Sequence, residues 1–497
     1  MNTKEKTWSS NLFFILATVG ASVGLGNLWR FPYMAFENGG GSFFVPFVIC
    51  YFLVALPIIF LEFGMGLWSR GSAATAFKKN SKKTTWIGCW ILINTFVIVC
   101  YYSVIMGWCL QYAVHSIGQD WGNDTSSFFY NEIVQISPSA TDVGGISIKS
   151  IVSLLVLWTA TFFILKNGIK SLSTFLLISV PIPIILIIVL AYRGISLPGG
   201  MSGLTYFLKP DPEKLSSLSV WSAAASQVIL SLGIGMSQMI AYSSKRKESR
   251  HNVKSAFALI SGDFLFSLFA GIAVFATYGA MQAKLGIDVS QVPGDFKELD
   301  SLSVAFITYP AAISSLPYAS IWGFLFFFML VLLGIDSLFA VVEANMTDLE
   351  KLFPNMNRKK LIGIFCCLAF IGGLPFSTGA GLYWLDIVDH WVGYYAIFSI
   401  VILQCILFAH SSKFSEIGKK LNFKTKSWLY SVWKFMLSFL LPIMIMGFLL
   451  SNFIEETKVP YGNGSYSNNL LIFLGWGVMF LTIICGFFVS KHFNKRA

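Results

Sequence analysis

Two aspartates stand inside stretches that are otherwise apolar: Asp263 in Ser261-Gly262-Asp263-Phe264, and Asp336 in Leu333-Gly334-Ile335-Asp336-Ser337. A charge at the centre of a bilayer costs at least about 2.5–3.5 kcal/mol on insertion scales, so an acid at that depth faces a cation or a proton pathway. Two further segments, Gly20-Ala21-Ser22-Val23-Gly24-Leu25-Gly26-Asn27 and Ser231-Leu232-Gly233-Ile234-Gly235, interrupt hydrophobic runs with glycine at corresponding points. Irregular backbone at membrane depth is tolerated only where protein or a water-filled cavity satisfies its N–H and C=O groups. Interruptions at matching places in two halves of a chain point to the binding site of a secondary transporter, where unwound carbonyls at half-helix ends suit a small hard cation.

The elements that must position these residues are membrane spans. Of 497 residues 55% are hydrophobic and 12% charged, too few charges to solvate a soluble protein of this size. Reading apolar runs of about 18 residues or more as spans predicts an all-α polytopic membrane protein with about twelve transmembrane helices. Residues 12–193 and 218–410 make two halves, followed by two additional spans within 428–490, all in one transmembrane domain. With both termini cytoplasmic, Lys79, Lys82, Lys83, Lys245, Arg246, Lys247, Arg358, Lys359, Lys360, Lys419 and Lys420 fall in inner loops, as the positive-inside rule requires. The net charge of +11 is therefore topological. The basic residues are dispersed along short loops rather than gathered on one face, so no nucleic-acid partner is expected.

The first apolar run continues into Leu28-Trp29-Arg30-Phe31-Pro32 without a small-residue cleavage site, which predicts a span and not a removed signal peptide. All eight cysteines lie in hydrophobic stretches and read as packing residues rather than a disulfide framework or metal site. The five histidines are scattered and no His-Glu-x-x-His occurs, which excludes a zinc protease of that type. Residues 301–310 are apolar, too short to span and broken by Pro310, as either a re-entrant lid or a surface helix would be.

The segment Gly20 to Tyr33, GASVGLGNLWRFPY, followed by Glu37-Asn38-Gly39-Gly40-Gly41, resembles the first-span signature of the neurotransmitter:sodium symporter family. Tyr101-Tyr102, Gln227 through Gly235, Gly334-Ile335-Asp336-Ser337 and Asp386-Ile387-Val388-Asp389-His390-Trp391 match further family motifs, covering spans one to ten. The resemblance implies a LeuT-like five-plus-five inverted repeat with discontinuous helices 1 and 6, and a sodium-coupled symporter that is not an enzyme.

On that resemblance two sodium ions are expected as coupling ions. One would be held by the Ser22 carbonyl, Asn27, Ser231, Asp263 and the substrate carboxylate, and the other by the carbonyls of Gly20, Val23 and Leu333 with the side chains of Asp336 and Ser337. Chloride-dependent members hold the anion with a tyrosine, a glutamine, two serines and an asparagine; the matching positions are Phe47, Gln227, Ser231, Ser267 and Asp263. Phe47 removes a hydroxyl donor, and a fixed carboxylate at 263 brings the negative charge while repelling the anion. Chloride is not expected. Asp263 could also take up a proton when sodium leaves.

For the organic substrate, the half-helix end near Gly26 favours an anionic group, and Tyr102 resembles the family's carboxylate-binding tyrosine. Members that carry monoamines place an aspartate where this chain has Gly24, so an α-amino acid is the expected cargo. The expected binding residues are Ser22, Leu25, Gly26, Ile98, Tyr102, Leu230, Ser231, Gly233, Met236, Ser337 and Val341. Ile98, Leu230, Met236 and Val341 are apolar and Gly233 replaces a bulkier serine, so a large apolar or aromatic side chain is favoured.

Arg30 and Asp389 resemble the external gate pair, Leu230 replaces the aromatic lid of many members, and Glu5 and Lys351 fall where the family's Arg and Asp inner gate would be. The partners expected are thus a small-molecule amino acid and the lipid bilayer of a cell membrane, a bacterial inner membrane in a compact bacterial member. A non-transporting amino-acid sensor on the same fold would keep the same pocket. An intramembrane aspartyl protease would use Asp263 and Asp336 as a dyad, but those enzymes resemble Tyr-Asp and Gly-x-Gly-Asp, unlike Gly262-Asp263 and Ile335-Asp336 here.

Overall fold

Ser10 caps the first helix by accepting from the Phe13 backbone, and the helix runs over Asn11–Ser22. It stops because Val23 turns to an extended conformation and Gly24 remains extended before the helix resumes at Leu25–Leu28 and Arg30–Glu37. The two parts meet at a bend of 62°. The second break separates Leu218–Ser231 from Gln238–Ser244. There Gly233, Gly235 and Ser237 all take left-handed backbone, with φ of 60°, 78° and 68°. Glycine reaches this region without the Cβ penalty, which explains two of the three residues.

The computed structural model describes residues 7–247, 251–285, 302, 304–314 and 316–496. Among these, nine helices are long and apolar enough to cross a membrane, ten when the bent first pair is counted. Two more helical elements complete the expected twelve without meeting that test. The sixth is divided into pieces too short to qualify, and the ninth, Arg358–Gly373, has only 16 residues. Burial separates the spans into layers: Lys82–His115, Ala319–Leu352 and Gly381–Ala409 are 78% buried, while Asn468–Arg496 is 28% buried. The first set forms the centre of the bundle and the last span is peripheral.

Pro310 lies in a short buried element, Val304–Thr308 followed by Tyr309–Ser314. Phe306 and Ala305 are fully buried, and Phe306 stacks on Phe129 with rings 5.1 Å apart. Of the two alternatives for this stretch, burial overturns the surface helix, and the stretch forms a buried packing element. The residues at 301 and 303 lie outside the described residues, as does Glu5. All eight cysteines are free thiols; six are buried, Cys485 is partly buried, and Cys367 is exposed rather than packed.

Candidate functional site

Each helix break exposes backbone groups that need partners, and side chains near and far in the chain bond the segments around it. Asn27 Oδ1 accepts from the Gly24 N–H at 2.9 Å, and Gln227 Nε2 donates to the Gly26 carbonyl at 3.2 Å. At the second break Glu62 accepts from the Gly235 N–H at 2.8 Å, and the Ser237 hydroxyl accepts from the Ala73 N–H at 2.9 Å. Glu62 is fully buried and also accepts from Gln404 Nε2 at 3.1 Å, so it ties the second span to the break in the sixth and to the tenth. The two breaks are thus held by cross-helix hydrogen bonds, as backbone at this depth requires.

Asp263 lies between them. It is fully buried and receives the Tyr51 hydroxyl at 2.6 Å, Asn27 Nδ2 at 2.9 Å and the Ser231 hydroxyl at 2.9 and 3.0 Å on its two oxygens. Asn27 Nδ2 also reaches Ser231 at 2.7 Å and Ser267 at 2.9 Å. Phe47 is buried nearby, its ring edge-on to Tyr51 at 4.9 Å. The hydroxyl missing at Phe47 is therefore replaced by Tyr51, one helical turn further along, and that hydroxyl is engaged by the carboxylate. Tyr51 was not singled out in the sequence, although its spacing of four from Phe47 places it on the same helix face.

The second acid sits apart. Asp336 Oδ1 accepts from the Ser179 hydroxyl at 2.8 Å, and its other oxygen lies 3.2 Å from where a Cβ on Gly20 would stand. Ser337 donates to the Ala21 carbonyl at 3.2 Å, with the Leu333 carbonyl at 3.4 Å. Gly20, Asp336 and Ser337 thus converge where the first helix ends, and glycine at 20 is what admits the close approach. Among the described residues no group of three or more His, Cys, Asp and Glu side chains forms a metal site. The cluster at Asp336 mixes a single carboxylate with hydroxyl and carbonyl oxygens, a donor set that fits a monovalent hard cation, whereas at Asp263 the Asn27 amide faces the carboxylate through Nδ2 and its oxygen is held by the Gly24 N–H.

A cavity of about 480 Å³ lies beside the two breaks. All of Ser22, Leu25, Gly26, Ile98, Tyr102, Leu230, Ser231, Gly233, Met236, Ser337 and Val341 line it, together with Asn27. Gly26 has open space where a Cβ would be, so its backbone faces the cavity directly. The expectation that Gly233 simply frees volume needs correction: a Cβ there would lie 2.9 Å from Gln238 Nε2, so the Gln238 amide fills that space and itself lines the wall.

The same cavity continues past Arg30 and Asp389 to His390, Asn452 and Tyr461. Arg30 and Asp389 are not bonded to each other. Arg30 Nη2 donates to the Ser226 hydroxyl at 3.1 Å and Asp389 accepts from the Tyr101 hydroxyl at 2.6 Å. Beside them, the loop joining the last two spans brings the Tyr461 and Tyr466 hydroxyls onto Asp386 at 2.7 and 2.8 Å, and the Tyr461 ring stacks on His390 at 3.8 Å. His390 in turn contacts Glu456 at 2.7 Å. The sequence signalled nothing about this loop, because its partners lie 66 to 80 residues away.

At the opposite end, Glu343 of the eighth span is 1% exposed and pairs with both Lys245 and Arg358, and Arg358 also pairs with Glu350 at 2.6 Å. Trp8 donates its indole N–H to the Tyr242 carbonyl at 2.9 Å, and Arg246 packs over the Phe14 ring and bonds Asn11. Lys351 donates to the Arg70 carbonyl at 2.8 Å. An acid inside Val341-Val342-Glu343-Ala344 could have been read from the sequence by the criterion that found Asp263 and Asp336, and so could Glu62.

Comparison with known proteins identifies the family. The model of the sodium:neurotransmitter symporter family matches residues 5–127 and 120–495. An uncharacterised sodium-dependent transporter of Methanocaldococcus jannaschii is 36% identical over 95% of this chain and 94% of its own length. A sodium- and chloride-dependent creatine transporter of Homo sapiens is 28% identical, over 95% of this chain and 80% of its own. A sodium- and chloride-dependent GABA transporter of Drosophila melanogaster is 29% identical over 98% of this chain and 55% of its own. The chain belongs to the sodium:neurotransmitter symporter family and is a sodium-dependent, multi-pass membrane transporter, not an enzyme.

Proposed function

We propose that the protein imports an apolar or aromatic α-amino acid together with two sodium ions, by alternating access and without chloride, in a bacterial cell membrane with both termini cytoplasmic. The observation that carries the chloride statement is the bonding around Asp263. The donors that would cradle an anion, the Tyr51 hydroxyl, the Asn27 amide and the Ser231 hydroxyl, already point at its carboxylate. That fixed charge does for sodium what a bound chloride would do, and it repels the anion. The creatine and GABA transporters compared above are named chloride-dependent, so this is a departure from them.

The amino-acid reading is supported by Gly24, which leaves no acid for an amine, and by the apolar wall formed by Ile98, Val341 and Met236. Two sodium ions, each gaining about 2.3 kcal/mol from a 100 mV potential, would support accumulation of more than about a thousandfold.

The test is uptake of a radiolabelled amino-acid panel into proteoliposomes, with sodium against choline and chloride against gluconate. Sodium-driven accumulation of an apolar or aromatic amino acid that is equal in both anions is the expected result. Collapse in gluconate would overturn the role given to Asp263. Binding without accumulation would favour a sensor.

A further inference from the structure

We propose that Gln238 is a specificity residue: its side-chain carbonyl reads a hydrogen-bond donor on the cargo, selecting indole- or phenol-bearing amino acids over phenylalanine and leucine. This rests on the amino-acid reading above and narrows it. Gln238 opens the inner half of the broken sixth span, directly after Ser237 in its left-handed conformation. Its side chain folds back behind Gly233, where the missing Cβ makes room for the amide, and it lines the central cavity while only 3% exposed.

The amide is poorly matched by the protein itself. Its Nε2 has the Met236 sulfur as acceptor at 3.7 Å, and its Oε1 has no hydrogen-bond partner among the described residues. Sulfur is a weak acceptor, and a buried carbonyl left unpaired is costly; Oε1 is buried behind the cavity wall, so a small turn of the amide brings it to a donor in the cavity.

Three other polar residues of the cavity are bonded within the protein. Ser231 is bonded to Asp263, Ser337 to Ala21, and Gln227, whose Oε1 is also unpaired, is tied to Gly26. Gln238 contacts Met236, and Ile98 and Val341 line the same cavity. A flat ring carrying one N–H or O–H satisfies both the apolar wall and the Gln238 acceptor. A site built to bond a substrate N–H or O–H discriminates against the analogue that lacks it far better than an apolar pocket separates sizes.

The experiment is competition against sodium-driven uptake in proteoliposomes, with tryptophan, 1-methyltryptophan, tyrosine, phenylalanine and leucine as competitors, on the full chain and on Gln238→Met. Methylation adds volume and removes the donor, whereas phenylalanine loses both volume and donor relative to tyrosine. A pure size effect would therefore move the two pairs in opposite directions. In the unaltered protein tryptophan should outcompete 1-methyltryptophan, and tyrosine outcompete phenylalanine, each by at least about tenfold.

Both ratios should fall towards one in Gln238→Met. Ratios below about twofold in the unaltered protein, or ratios that survive the substitution, overturn the assignment. The ratios of the unaltered protein decide by themselves if the variant does not reach the membrane. If leucine and phenylalanine accumulate but the ratios are flat, only the role of Gln238 falls; if no amino acid accumulates, the amino-acid reading falls and takes this with it.

Discussion

The two ends of the transport path are built from different chemistry. At the end carrying Arg30 and Asp389, each charged residue is held by a neutral hydroxyl, Ser226 for one and Tyr101 for the other, and the cavity runs between them as far as Tyr461. At the other end Glu343 is buried between Lys245 and Arg358, and Lys245 follows directly on the inner half of the sixth span. A hydrogen bond between a hydroxyl and a charged group contributes about 1.5–3 kcal/mol. Breaking a buried ion pair by removing one partner costs about 3–5 kcal/mol, because it strands the other charge. The first end is arranged to change partners and the second to stay shut, which describes a carrier open to the side of Arg30 and Asp389.

The largest expected effect comes from breaking the shut end. Glu343→Ala should lower unfolding stability by about 3–5 kcal/mol, read as a fall in thermal midpoint in detergent, because two cations lose their common acid. An unchanged midpoint would remove the contrast between the ends. At the open end Asp389→Asn should do the opposite: the exposed residue keeps a hydrogen bond with Tyr101, so stability should move by no more than about 0.5 kcal/mol. Uptake at low substrate should nevertheless fall by about tenfold, the factor that ~1.4 kcal/mol carries, as closure over the cargo loses its charge attraction to Arg30. Equal losses of stability and uptake would show the pair to be structural.

The smallest effect is expected at the loop between the last two spans. Tyr461→Phe keeps the ring on His390 and leaves Tyr466 bonded to Asp386, so it removes one of the two hydroxyl hydrogen bonds to that carboxylate. That would appear as a change of a few-fold in KM for uptake with Vmax retained. A loss of Vmax would instead make this loop part of the moving gate.

Much of this was legible in the sequence where residue type conflicts with surroundings. Asp263 and Asp336 stand out because an acid in an apolar run has no cheap explanation, and the glycines at both breaks stand out because they interrupt otherwise continuous spans. Glu62 and Glu343 carry the same signal and were passed over. Tyr51 and Gln238 carry none, since a tyrosine or glutamine in a span is unremarkable until its distance to a partner is known. The contacts of Tyr461, Tyr466 and Glu456 with the tenth span depend on tertiary packing alone. The break in the sixth helix is legible in Gly233 and Gly235, and the structure divides the span there; the ninth reads as a span and forms a short helix of 16 residues.

The close fit of Gly24 bears on how this lineage can change. A Cβ at that position would stand 2.9 Å from the Ser337 hydroxyl, which itself is bonded to the Ala21 carbonyl. An aspartate at 24, the acid that amine carriers of the family use, therefore has no room until Ser337 moves or shrinks, and Ser337 is proposed to hold an ion. Either substitution made alone would leave a poorer carrier. On the proposed amino-acid cargo, a shift to amine cargo would require Ser337 to move or change together with residue 24, so the two positions constrain each other.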